Sequence, residues 1–119
     1  MILVADIGGS HMRVAVCDSP GSLEEPSVCD TPAEFETAVE VFADIARDIA
    51  RDRPITGGVI GIAGLLSPDR QILLKSPHLR KWEGENITEA FSQTVGVPIL
   101  FENDAAFGAL GEAVSGAGM

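Results

Sequence analysis

The sequence predicts an α/β fold: a mixed five-stranded sheet with helices on both faces. Three observations carry that reading. The chain opens with short apolar runs of strand length joined by glycine-rich turns. The apolar period then changes to steps of three and four residues, the mark of one helical face. From there, charge-free strand-like runs alternate with helical stretches, so a meander is followed by βαβ crossovers.

Residues 2–7, ILVADI, and 12–17, MRVAVC, read as two β runs joined by GGSH, a connector short enough for an antiparallel hairpin. The core of that connector, Gly-Ser-His-Met, also spells a common tag-cleavage scar. A scar would precede the initiator methionine, however, and here Met1 opens the strand that leads into it. A looser strand follows around Ser27 to Cys29. Thr31-Pro32-Ala33-Glu34 has the form of a capping box: a hydroxyl cap, proline at the first helical position and glutamate three residues on. Phe35, Ala38, Val39, Phe42, Ile45, Ala46, Ile49 and Ala50 then share one face, Glu36, Glu40, Asp44, Asp48 and Arg51 fall on the solvated side, and Pro54 ends the helix.

Gly57 to Gly64, GGVIGIAG, is a strand buried on both faces that runs into a glycine loop, and QILLKS is a short return strand. PHLRKWEGEN reads as an ordered loop. Asn86 or Thr88 starts a second helix through Val95, with Ala90, Phe91 and Val95 inward. VPILF is another buried strand, stopping at Glu102-Asn103-Asp104, and a third helix runs from about Ala105 to Val114. The first, fourth and last strands then run in the same direction. Their C-terminal ends share the rim off which open α/β sheets bind ligands.

Composition narrows the function. The 119 residues suit one domain and carry 45% hydrophobic residues, enough for a core. A net charge of −10 opposes a nucleic-acid surface, because backbone phosphates would be repelled. Cys17 and Cys29 lack metal-ligand spacing and read as free, buried thiols of a cytoplasmic protein, a disulfide being the lesser alternative. The opening MILVADIGG has no basic n-region, and no apolar run reaches membrane-spanning length.

The candidate chemistry gathers on the predicted rim. Asp6, Gly64 and Asp104 lie at or just past the ends of three parallel strands. Gly8 and Gly9 would let a ligand approach the backbone where a Cβ would intrude, and Ser10 adds a hydroxyl. The carboxylates of Asp6 and Asp104 are expected roughly 7–12 Å apart, room for a metal-bound phosphate and a hydroxyl. Each feature has a plainer reading. D-x-G-G-S also fits a tight hairpin without function, and Asn103 or Asp104 could simply cap the helix that follows.

With these residues assembled, the chain resembles the N-terminal domain of the ROK family (repressors, open reading frames and sugar kinases), of ribonuclease-H-like, actin-like ATPase fold. Four segments match in order: DIGGSHMRVAV, GVIGIAG, SPHLRKWEG and VPILFENDAAFGALGEAVSGAG. The resemblance implies an ATP-dependent, glucokinase-like hexose kinase. Asp104 would be the general base, Asn103 and Gly64 would contact the sugar together with Asp104, Asp6 would orient Mg²⁺ through water, and Gly8, Gly9 and Ser10 would line the phosphates. A carboxylate of ordinary pKa suffices as base when it lies within hydrogen-bond reach of the attacking hydroxyl.

Several positions depart from the family pattern. Ser10 stands for the usual threonine, His78 for the asparagine of PNL, and DAAFGAL for DANAAAL. His11 and His78 lack metal-ligand company and read as loop or surface residues, and Trp82 reads as packing its loop ahead of stacking on sugar. The family's second domain lies beyond the matched segments, so 1–119 is expected to be the N-terminal domain of a longer kinase and half an active site. Partners expected are a hexose, that C-terminal domain and a second copy of the chain, with no nucleic acid and no membrane. The sugar-sensing domain of a ROK repressor and a non-catalytic actin-like assembly module are the rival readings.

Overall fold

The computed structural model describes residues 1–19 and 22–103. Its main sheet is five-stranded and mixed, with the strands Ser27–Asp30, His11–Cys17, Ile2–Ile7, Gly57–Ile62 and Ile99–Asn103 side by side in that order. β1 (Ile2–Ile7) and β2 (His11–Cys17) form the expected hairpin, and β3 (Ser27–Asp30) adds an antiparallel edge. α1 (Phe35–Ala50) crosses over to β4 (Gly57–Ile62), which lies parallel to β1. β5 (Leu65–Leu66) and β6 (Leu73–Lys75) make a small separate hairpin, so QILLKS does return, against a partner too short to stand out in the sequence. A 3₁₀ turn at Arg80–Trp82 and α2 (Ile87–Val95) then lead to β7 (Ile99–Asn103), parallel to β4.

The two described helices cover the same face of the sheet. Phe91 of α2 is the hinge of that packing: its ring makes edge contacts with Phe42 of α1 at 5.1 Å and Phe101 of β7 at 5.2 Å between centroids. Leu3, Ile7, Met12, Val14, Ile60, Ile62 and Phe101 meet them from the sheet and are fully buried or nearly so. The third helix expected over about 105–114 lies outside the described residues. Ile45 and Ile49 sit at the margin of the α1 interface, half-buried. Ala43, absent from the predicted face, is buried, because small side chains let the helix lie close on the sheet.

The capping box does not form. The helix begins at Phe35 with Glu34 as its cap residue, and no side chain accepts a bond from the first turn. Thr31 is spent elsewhere. Its hydroxyl donates to the Gly8 carbonyl at 2.7 Å, and its N–H donates to the Ser10 carbonyl at 2.9 Å. The contact crosses 23 residues, which a local capping rule does not see. α2 obeys the rule: Asn86 caps it by accepting from the Glu89 N–H at 3.0 Å, and Gly96 closes it with φ 89°. α1 ends four residues ahead of Pro54, in left-handed Arg51 and Asp52, where Arg53 donates back to the Ala50 and Ile49 carbonyls.

Cys17 and Cys29 form no disulfide among the described residues: the first is buried, its thiol donating to the Ser19 carbonyl at 3.1 Å, and the second is half-buried. Among the described residues, no helix is long and apolar enough to cross a membrane.

Candidate functional site

Parallel register builds one rim. Ile7 aligns with Ile62, and Ile62 with Asn103, so β1, β4 and β7 end side by side at these three residues. Asp6, one residue back, aligns with Arg13 on one side and Gly61 on the other, and Gly61 aligns with Glu102. Strand alternation puts Asp6 on the face away from buried Ala5 and Ile7. Its half-buried carboxylate makes no ion pair or hydrogen bond among the described residues.

The hairpin tip stands above Asp6. Gly8 N–H donates to the His11 carbonyl at 2.9 Å, leaving Gly9 and Ser10 exposed at the turn. An open depression of about 420 Å³ lies against Asp6, Gly8, Gly9, Ser10, His11, Arg13 and Val28. Four of the residues singled out from the sequence thus share one concavity, with Arg13 as its cation.

Gly64 has a packing reason of its own. A Cβ there would lie 2.7 Å from the Lys75 carbonyl oxygen and 2.9 Å from Leu73 Cδ1. Fully buried Ser76 stitches this glycine loop to the segment after β6, donating its hydroxyl to the Ala63 carbonyl at 2.7 Å. The Ser76 N–H in turn donates to Glu83 Oε2 at 2.8 Å.

Gly9 is packed as tightly. A Cβ on it would fall 2.4 Å from His78 Cβ, so the β1–β2 hairpin and the PHLRKW loop touch at a point that excludes a side chain. A smaller depression of about 210 Å³ shares Gly9 and is lined by Thr31, Pro32, Ala33 and residues 78–81. His78 is exposed at its mouth, and His11 is exposed beside Asp30, with Nε2 3.8 Å from the carboxylate. Trp82 is fully buried against Phe35, centroids 5.5 Å apart, and its Nε1–H donates to the Ala33 carbonyl at 3.1 Å. Its ring belongs to the core and is closed to a sugar.

Asn103 closes β7 and is exposed at the rim. Asp104, the expected base, lies outside the described residues, and with it the expected Asp6–Asp104 separation. Glu102, just before them, is an ion-pair partner of Arg70, 2.6 Å away, with only 14% of its side chain accessible. The tip of the β5–β6 hairpin is thereby tied to the end of β7. The partners of Arg70 and Thr31 escaped sequence reading because each lies more than twenty residues away, beyond the reach of any local motif. Among the described residues no three His, Cys, Asp or Glu side chains converge on a metal position.

Comparisons with known proteins agree with this geometry. The ROK family model matches residues 2–119. Glucokinases of Streptomyces coelicolor and Streptomyces lividans are each 30% identical over 113 residues, covering 95% of the chain and 35% of their own length. A ROK family glucokinase from Streptomyces griseus, solved with glucose and AMPPNP, superposes with a TM-score of 0.84 at 29% identity, covering 98% of the chain and 38% of the other. A ROK hexokinase from Thermus thermophilus gives 0.81 at 25% identity, over 93% of this chain and 37% of that one. The chain therefore spans little more than a third of the proteins it resembles.

Proposed function

The chain belongs to the ROK family, and on that premise we propose that it is the N-terminal domain, residues 1–119, of an ATP-dependent hexose kinase of glucokinase type. The observation that carries the reading is the parallel register, which brings Asp6, the Gly8–Ser10 turn, the Ala63–Gly64 turn and Asn103 to one rim. In support, the Streptomyces griseus relative binds glucose and a nucleotide analogue.

On this reading the hairpin meets the nucleotide phosphates with backbone N–H groups and the Ser10 hydroxyl. Asp6 fits a metal-directing role: it is a lone, half-buried carboxylate without a protein partner among the described residues, and it lines the same concavity as the hairpin. A Mg²⁺ oriented by Asp6 through water would supply neutralisation of the charge on the transferring group. Gly64 and Asn103 hold the sugar from the neighbouring strand ends. Asp104 accepts the proton of the attacking hydroxyl. Most of the rate then comes from alignment of donor and acceptor, which the rigid strand ends supply.

The test is Asp104→Asn in the full-length kinase, where size and capping ability are kept and the base is lost. A kcat at least about a hundredfold lower, with an unchanged melting temperature, is expected. Near-normal turnover would leave Asp104 as a helix cap only.

A further inference from the structure

We infer that Thr31 is a positioning residue that aims the Gly8–Ser10 turn, an inference that rests on reading this turn as the phosphate loop. Thr31 follows β3 directly and reaches both flanks of Gly9. Its hydroxyl donates to the carbonyl of Gly8 at 2.7 Å, and its N–H donates to the carbonyl of Ser10 at 2.9 Å. Among the described residues no peptide bond is cis. In a planar trans peptide the carbonyl and the following N–H point in opposite directions. Drawing the Gly8 carbonyl toward Thr31 therefore drives the Gly9 N–H away from it. That N–H has no acceptor among the described residues. Thr31 lines the smaller depression beside His78 and is absent from the wall of the larger one that holds Asp6 and Ser10. The hydroxyl thus works from behind the turn, turning an unpaired donor away from its own side.

A second contact makes this more than a loop tether. Gly9 is in contact with His78, close enough to exclude a Cβ. The turn is held between two neighbours, Thr31 by hydrogen bonds and His78 by shape. Loss of the hydroxyl leaves the shape contact in place, so the turn should lose its aim without losing its location. Valine is the informative replacement, since it keeps the branched shape and removes the donor, while serine keeps the donor.

The experiment compares Thr31→Val and Thr31→Ser with wild type in the full-length protein. Hydrogen exchange at the Gly8 amide, which donates to His11, reports the turn itself. Faster exchange there in the valine variant but not the serine variant, with the β1 and β4 core amides unchanged, is the expected result. Kinetically, KM for MgATP should rise about two- to tenfold, the loss of one neutral hydrogen bond, with KM for the hexose unchanged and serine restoring the wild-type value. Equal exchange in all three proteins, equal effects of valine and serine, or a change confined to the hexose KM would overturn the inference. A wild-type protein without phosphoryl transfer would sink the kinase reading instead, and the exchange comparison would still decide whether Thr31 aims the turn.

Discussion

Gly9 lacks a side chain for a reason that precedes any ligand. Its missing Cβ leaves the room that His78 occupies, with only 2.4 Å between the positions. Gly9→Ala should cost about 1–3 kcal/mol by overpacking. Adding His78→Gly should recover part of that loss, and urea unfolding of both singles and the double variant measures the coupling. If Gly9→Ala were neutral, the hairpin and the PHLRKW loop would not be in contact. The cysteines give a second check at this scale. Burial, followed by the nearby Asp30 charge, pushes the Cys29 thiol up, and Cys17 is buried. Burial shields Cys17, and the raised Cys29 thiol stays protonated at neutral pH, so iodoacetamide should label both slowly in the folded protein and rapidly in denaturant. Rapid labelling of native Cys17 would contradict the packing of β2.

At the scale of elements, the two helices start by different means. α2 has a working cap in Asn86, and Asn86→Ala should destabilise by about 1 kcal/mol, with Asn86→Asp close to neutral, as read by chemical denaturation. α1 lacks a side-chain cap, so the stability it needs comes from its aromatic contacts with α2 and its apolar packing on the sheet. Its far end is tied to the β2–β3 connection through Arg53, whose guanidinium contacts both oxygens of Glu24 at 2.6 and 2.9 Å. The hydrogen bond from Arg53 holds the Glu24 carboxyl below its ordinary value. A carboxyl lowered on folding stabilises above its unfolded pKa, and that contribution fades as pH falls through the folded one. The stability gap between wild type and Glu24→Gln should therefore be widest near neutral pH and shrink in acid. Both groups are exposed, so the gap is small at any pH. A gap that widened in acid would exclude this pair as its source.

For the whole molecule, the decisive quantity is how little of its relatives the chain represents: 35% of the Streptomyces glucokinases and 38% of the solved one. A two-lobed kinase grips nucleotide across its cleft and excludes water on closure. The 119 residues alone should bind MgATP or hexose only in the millimolar range or weaker, about 4 kcal/mol or less, with no hexose-dependent turnover. They should also self-associate where a second lobe would pack. Calorimetry, a coupled kinase assay and sedimentation test these together. Micromolar binding or measurable turnover would make this short chain a functional unit in its own right.

Strand direction, the hairpin and the rim were legible in the residues themselves. A carboxylate closing an apolar run, a two-residue glycine-serine tip and two charge-free strands each carry their meaning within a few neighbours. Parallel crossovers then leave little freedom in how those strands line up. Asp6, Gly64 and Asp104 were expected on one rim by that logic alone; the register brings the first and the turn before Gly64 together, and Asp104 lies outside the described residues. The tertiary structure decided what local rules could not weigh. Thr31 had every local mark of a helix cap, yet its hydroxyl bonds a carbonyl 23 residues away. Glu102 looked like a strand end and proved to be an ion-pair partner of Arg70, 32 residues before it. Trp82 packs, as its sequence context favoured, but its partners Phe35 and the Ala33 carbonyl lie more than forty residues away. A hydrogen-bonding side chain takes whichever partner the packed fold brings within about 3 Å. Sequence periodicity sets which faces are buried, but only packing brings distant groups to that distance.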